Sequence, residues 1–382
     1  MDFSSLGNVL KRFQGMGGKE TSVLGIDIGS SSAKIVQLRA SRGVAILETY
    51  GEIALGPYAQ QPIGKTVKLT PEKQAEALAD LMREANVTAR SGGVSIPFSA
   101  SLVSVLDLPA ADNEALKRIV PMEARKYIPV PVSEVSLDWF VIPREEGTDS
   151  AFDQLQEKSP IRDKGQEVLL VAIQNVTLKA YQAVMTALGV TAHFYEMEIF
   201  STMRSCLSHG LAPACIVDLG ASTTKMYVVE RGVVRMTHLL SVGGQQMTET
   251  LAREQSWEFE KAEREKREHG LIATEAYSAE ENARTREALL STLTRVCGEV
   301  NRVLLSYGQR YNKNVSMVIL TGGGSSLPGI AEAAKGLLNS EVVIADPFAK
   351  TDAPAFLGKV LAGIGPTFAV GVGLALRKLK HQ

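Results

Sequence analysis

The stretch Asp27-Ile28-Gly29-Ser30-Ser31-Ser32-Ala33-Lys34 returns later in the chain as Asp218-Leu219-Gly220-Ala221-Ser222-Thr223-Thr224-Lys225. Each copy follows a short apolar run and leads into an alternating one, at residues 35–38 and 226–229. That pattern reads as strand, tight polar turn, strand. Two such hairpins facing each other would set Asp27, Asp218 and two hydroxyl-rich turns around one cleft.

The chemistry suggested is phosphate binding. A nucleoside triphosphate needs N–H and hydroxyl donors around its phosphates, and carboxylates that hold Mg²⁺, usually through water. Gly29, Ser30, Ser31 and Ser32 supply such donors without bulk, as do Gly220, Ala221, Ser222 and Thr223. Asp27 and Asp218 stand at the mouths of the turns as the metal ligands. Lys34 leaves the first turn on the second strand and can reach back to a β-phosphate. Lys225 holds the equivalent place and reads as a solvated edge lysine. A third element, residues 318–329, is a buried strand ending in Gly322-Gly323-Gly324 before a helix. There a flat adenine or ribose can lie against bare backbone.

Other matches fail. Gly64-Lys65-Thr66 resembles the end of a P-loop, but Ala59 stands where the first glycine is required and no strand precedes it. Residues 371–376 lack the third glycine of a dinucleotide fingerprint. The five histidines show no metal-ligand spacing. Residues 258–268 form a charged helix with Glu/Arg pairs four apart, read as a solvated face.

Composition excludes several classes. With 382 residues the chain can hold two or three domains with proper cores. Its hydrophobic fraction of 45%, charged fraction of 22% and net charge of −1 point to a globular protein and away from nucleic acid. The three cysteines, Cys206, Cys215 and Cys297, read as buried thiols in a reducing compartment. Residues 1–22 lack the apolar run of a signal peptide. Residues 360–376 are apolar but glycine-rich and short for a span, so they read as a loop and core helix.

Along the chain, residues 1–20 read as a flexible segment with an amphipathic tinge. Strands are expected at 23–29, 35–38 and 44–53, then a helix over 71–84 capped by Thr70. A short strand covers 94–96. Residues 98–165 change character and read as an inserted subdomain: a strand at 100–108, a helix near 113–125, a strand at 136–142, and a polar loop from 143 to 165. A strand (167–173), a helix (176–188) and a strand (191–195) follow. After the second hairpin come helices from about 244 to 311, a strand at 315–320, a loop at 322–326 and a helix at 329–338. This alternation in both halves predicts two α/β domains of related origin.

The duplicated hairpins and the late glycine loop resemble the actin-like ATPase superfamily, whose members include actin, heat-shock chaperone ATPase domains, sugar kinases and FtsA. The resemblance implies a two-lobed, ribonuclease H-like α/β fold binding ATP and Mg²⁺. It makes 27–34 and 218–224 the phosphate loops and 321–326, with Ser325, the adenosine loop. Gly243-Gly244 look like the family's helix start after the second loop. Glu263 and Lys266 look like the Glu and Lys that approach ribose and adenine. The first connecting helix should begin near Glu196 or Glu198, where Glu198-Ile199 stands in place of the superfamily's Glu-Pro, and the second near 366–376.

Because the insertion at 98–165 comes after the strand that follows the first helix, the order resembles FtsA and PilM. Within it, Glu123-Ala124-Arg125-Lys126-Tyr127-Ile128-Pro129-Val130-Pro131 and Val135-Ser136-Leu137-Asp138-Trp139 resemble the PilM family of type IV pilus assembly proteins. The resemblance divides the chain into subdomain IA (21–97 and 166–205), the inserted 1C (98–165), IIA (206–245 and 315–382) and helical IIB (246–314). It implies a cytoplasmic scaffold, peripheral at the inner membrane, that binds ATP and grips the N-terminal tail of a PilN-like membrane protein. A groove between 1C and the first lobe is the expected seat of that tail. Glu198 and Thr223 are the candidates to orient an attacking water, so any ATPase turnover is expected to be slow. The alternatives are an FtsA-like filament former and a small-molecule kinase.

Overall fold

The computed structural model describes residues 22–143, 165–208, 210 and 212–380. The expectations for residues 1–20, and for nearly all of the 143–165 loop, lie outside the described residues. The chain divides into two compact units, one containing Ser101–Asn175 and the other Ser22–Ala100 with Val176–Gln382.

The larger unit holds two mixed five-stranded sheets of identical topology. In the first, β1 (Ser22–Ile28), β2 (Ser32–Ser41) and β3 (Val44–Ala54) form an antiparallel meander, and β4 (Ser91–Ile96) runs parallel to β1. The smaller unit is a separate sheet in the order β5-β7-β6, from β5 (Ser101–Leu108), β6 (Val135–Val141) and β7 (Gln166–Gln174), all antiparallel. The first sheet is completed by β8 (Thr191–Met197), giving the order β3-β2-β1-β4-β8. The second repeats it as β11-β10-β9-β12-β13, from β9 (Ala214–Leu219), β10 (Thr224–Glu230), β11 (Val233–Leu240), β12 (Met317–Thr321) and β13 (Glu341–Ile344). One irregularity recurs at the same place: the register shifts between Gln37 and Leu38 in one sheet and between Val228 and Val229 in the other.

Local sequence explains the helices. In α1 (Pro71–Glu84) the fixed φ of Pro71 suits the first turn, and Thr70 accepts the Lys73 N–H at 3.4 Å. In the smaller unit, α2 (Asn113–Ala124) is capped by Asp112, which accepts the Ala115 N–H at 2.7 Å. Leu116, Val120 and Ala124 on α2 pack with Leu106 and Leu108 of β5 and Val168 and Leu170 of β7. The strand β6 buries only alternate residues, which leaves Phe140 exposed.

Beyond α3 (Asn175–Leu188), β8 leads straight into α4 (Glu198–Cys206). The second sheet is covered by α5 (Gly244–Gln255), α6 (Phe259–Glu268) and the long α7 (Ala279–Tyr311), which starts in a capping box between Ser278 and Glu281. The helix expected at 329–338 is shorter, α8 (Ile330–Lys335). Gly329 has φ +80°, outside the helical range, and Leu337 and Leu338 close the element with turn bonds to Ala334. The loop expected at 322–326 contains one 3₁₀ turn, Gly323–Ser326.

The apolar run near the C-terminus splits into α9 (Gly358–Ile364) and α10 (Ala369–Lys380) around Gly365-Pro366. By length and composition Ala355–Leu379 could cross a membrane, yet 67% of its apolar window is buried inside the protein. Val372, Ala375 and Leu376 pack with Val23, Val36 and Leu38 of the first sheet. The helix approaches unusually closely because glycines meet backbone. A Cβ on Gly25 of β1 would lie 1.9 Å from the Gly371 carbonyl oxygen, and one on Gly373 would lie 1.9 Å from that of Ser201 on α4. An ion cluster locks the same region: Glu196 accepts from Arg204 at 2.8 Å and from Arg377 at 2.7 Å. Burial works against the Glu196 charge, but the two guanidinium groups and Ser201 outweigh it and hold the carboxyl below its usual value.

Candidate functional site

The two hairpin turns close by the same bond. Gly29 N–H donates to Ser32 O at 3.0 Å, and Gly220 N–H to Thr223 O at 3.0 Å. The turns face each other, with the Ser222 and Ser30 hydroxyls 3.1 Å apart. Between the lobes lies a cavity of about 520 Å³. Asp27, Gly29, Ser30, Ser31, Ser32 and Lys34 line it from the first lobe, and Asp218, Gly220, Ala221, Ser222 and Thr223 from the second. Gly244, Glu263, Lys266, Gly322, Gly323 and Gly324 complete the wall from the other side.

Two of the expected residues stand behind that wall. Gly243 backs the second turn so closely that a Cβ would lie 2.5 Å from the Ala221 carbonyl oxygen. Ser325 is buried and donates to Thr321 O. The N-terminus of α5 is likewise committed within the protein, because Gly244 N–H donates to Gly220 O and Gln245 N–H to Ala221 O, each at 2.9 Å. Gly322 has φ +80°, and a Cβ there would stand 2.2 Å from Asp218 Oδ1. Glycine is thus required for the loop to pass over the carboxylate.

The cavity floor carries charge. Asp27 is buried and accepts the Ser95 hydroxyl at 2.7 Å. Glu198, the first residue of α4, accepts the Phe98 N–H at 2.6 Å through Oε1 and Lys225 Nζ at 2.7 Å through Oε2. Lys225 also lies 3.0 Å from Asp218 Oδ2. The expectation of a solvated edge lysine is therefore corrected: the Lys225 side chain is only 14% exposed and is clamped by two carboxylates. Burial opposes its charge, but Asp218 and Glu198 more than compensate and raise its pKa. Burial also pushes Glu198 upward, with Asp218 and Asp27 adding to the rise and Lys225 opposing it.

Further out, Glu263 binds Lys266 at 2.7 Å and Arg267 at 2.6 Å. Against the effect of burial, these cations and Thr248 hold its carboxyl below the usual value. Lys266 also donates to Gly244 O at 3.0 Å and to Thr248 at 2.7 Å. This places the Glu263–Lys266 pair on the cavity wall with its donors already engaged.

Residues 64–66 cross the cavity rim, and nothing in their own pattern announces it. Thr66 donates through both N–H and hydroxyl to Gln245 Oε1, at 2.7 and 2.8 Å. Lys65 bonds Glu249 at 2.9 Å and lies 4.4 Å over the Phe259 ring. A Cβ on Gly64 would meet Glu263 Cδ at 2.4 Å. The failed P-loop match is thus a strap joining the first lobe to α5 and α6.

A triphosphate-borne Mg²⁺ can be set against these donors. It needs one or two carboxylates plus water and phosphate oxygens. Asp27, with Oδ1 bonded to Ser95 and the serines of the first turn alongside, fits that need. Asp218 is shared with Lys225.

Duplicate sheets, paired hairpin turns and an interlobe cavity define the actin-like, two-lobed class of protein. Two solved structures share this architecture. One is a PilM–PilN type IV pilus biogenesis complex, at TM-score 0.75 and 22% identity, covering 94% of this chain and 99% of that one. The other is MreB5 of Spiroplasma citri bound to ADP, at TM-score 0.52 and 11% identity, covering 94% and 97%. FtsA of Neisseria meningitidis serogroup B is 23% identical over 328 residues, 79% of this chain and 76% of that protein. FtsA of Agrobacterium fabrum is 26% identical over 223 residues, 54% of this chain and 48% of its own length. The chain thus aligns with about half the length of that relative. A family profile described as type IV pilus assembly protein PilM matches residues 25–379. The chain belongs to that PilM family.

Proposed function

We propose that the chain is a cytoplasmic ATP-binding scaffold of a type IV pilus assembly platform, held at the inner membrane by a PilN-like protein. The family match across residues 25–379 carries the reading. The similar structure of a PilM–PilN complex supports the partner.

In this reading the two turns receive the phosphates and Gly322–Gly324 receive the adenosine. Lys34 Nζ, 3.7 Å from Glu52 and beside Gly29, turns toward a β-phosphate. Any magnesium arriving with ATP would add charge neutralisation and would be held through water by Asp27, since Asp218 is shared with Lys225. Both oxygens of Glu198 are engaged, so it is poorly placed to orient a water and hydrolysis is slow. Calorimetry on the purified chain should show ATP binding. Lys34→Ala should weaken it about tenfold or more, the worth of a hydrogen bond to a charged group. Folded protein that takes up no adenine nucleotide would remove the cleft from this account.

The PilN-like tail is assigned to the unit formed by Ser101–Asn175. Large apolar side chains are exposed there, Met122, Tyr127 and Phe140 among them. An extended peptide gains affinity from strand-edge pairing and specificity from such side chains. Fluorescence anisotropy with the labelled tail should give saturable binding to the full chain. Tyr127→Asp or Phe140→Asp should lower that affinity by about tenfold, as loss of an aromatic anchor does, and leave ATP binding unchanged. Undiminished tail binding by both variants would place the partner elsewhere.

A further inference from the structure

We infer that the Lys225 ammonium is the resident cation of the second hairpin, so that a triphosphate is held in this cleft with little need of Mg²⁺. The inference rests on reading the cleft as a nucleotide site. Asp218 and Lys225 are register partners across β9 and β10, as Asp27 and Lys34 are across β1 and β2. The two pairs are nevertheless wired differently. Lys34 stands 3.7 Å from Glu52, at the loose limit of an ion pair. Lys225 is drawn down between Glu198 and Asp218, at 2.7 and 3.0 Å. Both lysines keep their Nζ against the turn: a Cβ on Gly29 would lie 3.7 Å from Lys34 Nζ, and one on Gly220 would lie 3.9 Å from Lys225 Nζ.

An ammonium has three donors and no acceptor. Two of those on Lys225 point at carboxylates, which leaves the third for an oxygen at the Gly220 turn. The charge is secure, because two buried carboxylates would be left uncompensated without it. A divalent ion bound at Asp218 would sit beside this ammonium, and like charges repel strongly where water is scarce. Lys225 therefore does at Asp218 what a metal would otherwise do, and Asp27 alone remains for a water-bridged ion.

The test is isothermal titration of the full chain with ATP, once with MgCl₂ and once with EDTA. Wild type should bind with affinities within about threefold of each other, and Lys225→Met should acquire a metal dependence of about tenfold or more. Since Lys225→Met can unfold, Lys225→Met combined with Glu198→Gln is measured beside it, which removes one charge of each sign. A wild type that loses about tenfold or more in EDTA overturns the inference and leaves the nucleotide reading standing. Folded variants that stay metal-independent overturn it equally. Absence of ATP binding under both conditions overturns the nucleotide reading, and this inference with it.

Discussion

Gly25→Ala is expected to cost about 4 kcal/mol or more of folding stability, among the largest effects a single methyl group produces. The added carbon would stand 1.9 Å from Gly371 O and 3.1 Å from Ala375 N. Both are backbone atoms of α10, so no rotamer change relieves the clash. Either β1 or the helix has to move, and each carries neighbours on its other side. Chemical denaturation of the purified protein measures the loss. Gly298→Ala is the matched control: a Cβ there, midway along α7, meets nothing within 4 Å. That variant should gain about 0.5–1 kcal/mol, the difference in helix propensity. Denaturation curves for Gly25→Ala within about 1 kcal/mol of wild type, an ordinary mutational effect, would mean that the close approach is not rigid.

Lys225→Met should destabilise the protein by about 3–5 kcal/mol at neutral pH, the usual cost of breaking a buried ion pair from one side. Methionine preserves most of the side-chain volume, so the loss reports charge and not packing. Glu198 and Asp218 would be left facing each other with Asp27 nearby. Adding Glu198→Gln should recover part of the loss, because one of those carboxylates is then neutral. A urea denaturation series on the two variants and wild type is sufficient. A loss below about 1 kcal/mol, typical of a solvated pair, would mean that the floor is wetter than its 14% exposure suggests.

The paired hairpins were readable because both ends of the signal are local. Asp, Gly and hydroxyl residues fall within one turn, and the flanking strands alternate. Helix α1 was equally readable, since Pro71 and the Thr70 cap state its beginning. Elements whose support is distant were not. The strand β13 has four residues and exists by pairing with β12. Lys225 reads as solvated because its partner Glu198 lies on another element, and a lysine signals burial only through its partners. Gly25 and Gly373 look like ordinary glycines, since the backbone they admit comes from far along the chain. The strap was hidden for the same reason: the partners of Lys65 and Thr66, Glu249 and Gln245, lie far along the chain on α5.

The contact of Gly373 with the Ser201 backbone has a mechanical side. Where backbone seats on backbone no side chain can give way, so α4 and α10 are braced against sliding along their contact. In a swing, displacement grows with distance from the axle. The Lys225–Glu198 pair is sheltered at the floor, with side chains 14% and 10% exposed, whereas Lys65 and Glu249 at the rim are 28% and 46% exposed. A rotation about that crossing would strain the rim contacts before those of the floor. The floor pair is thus the one nearest the axle, where leverage is least.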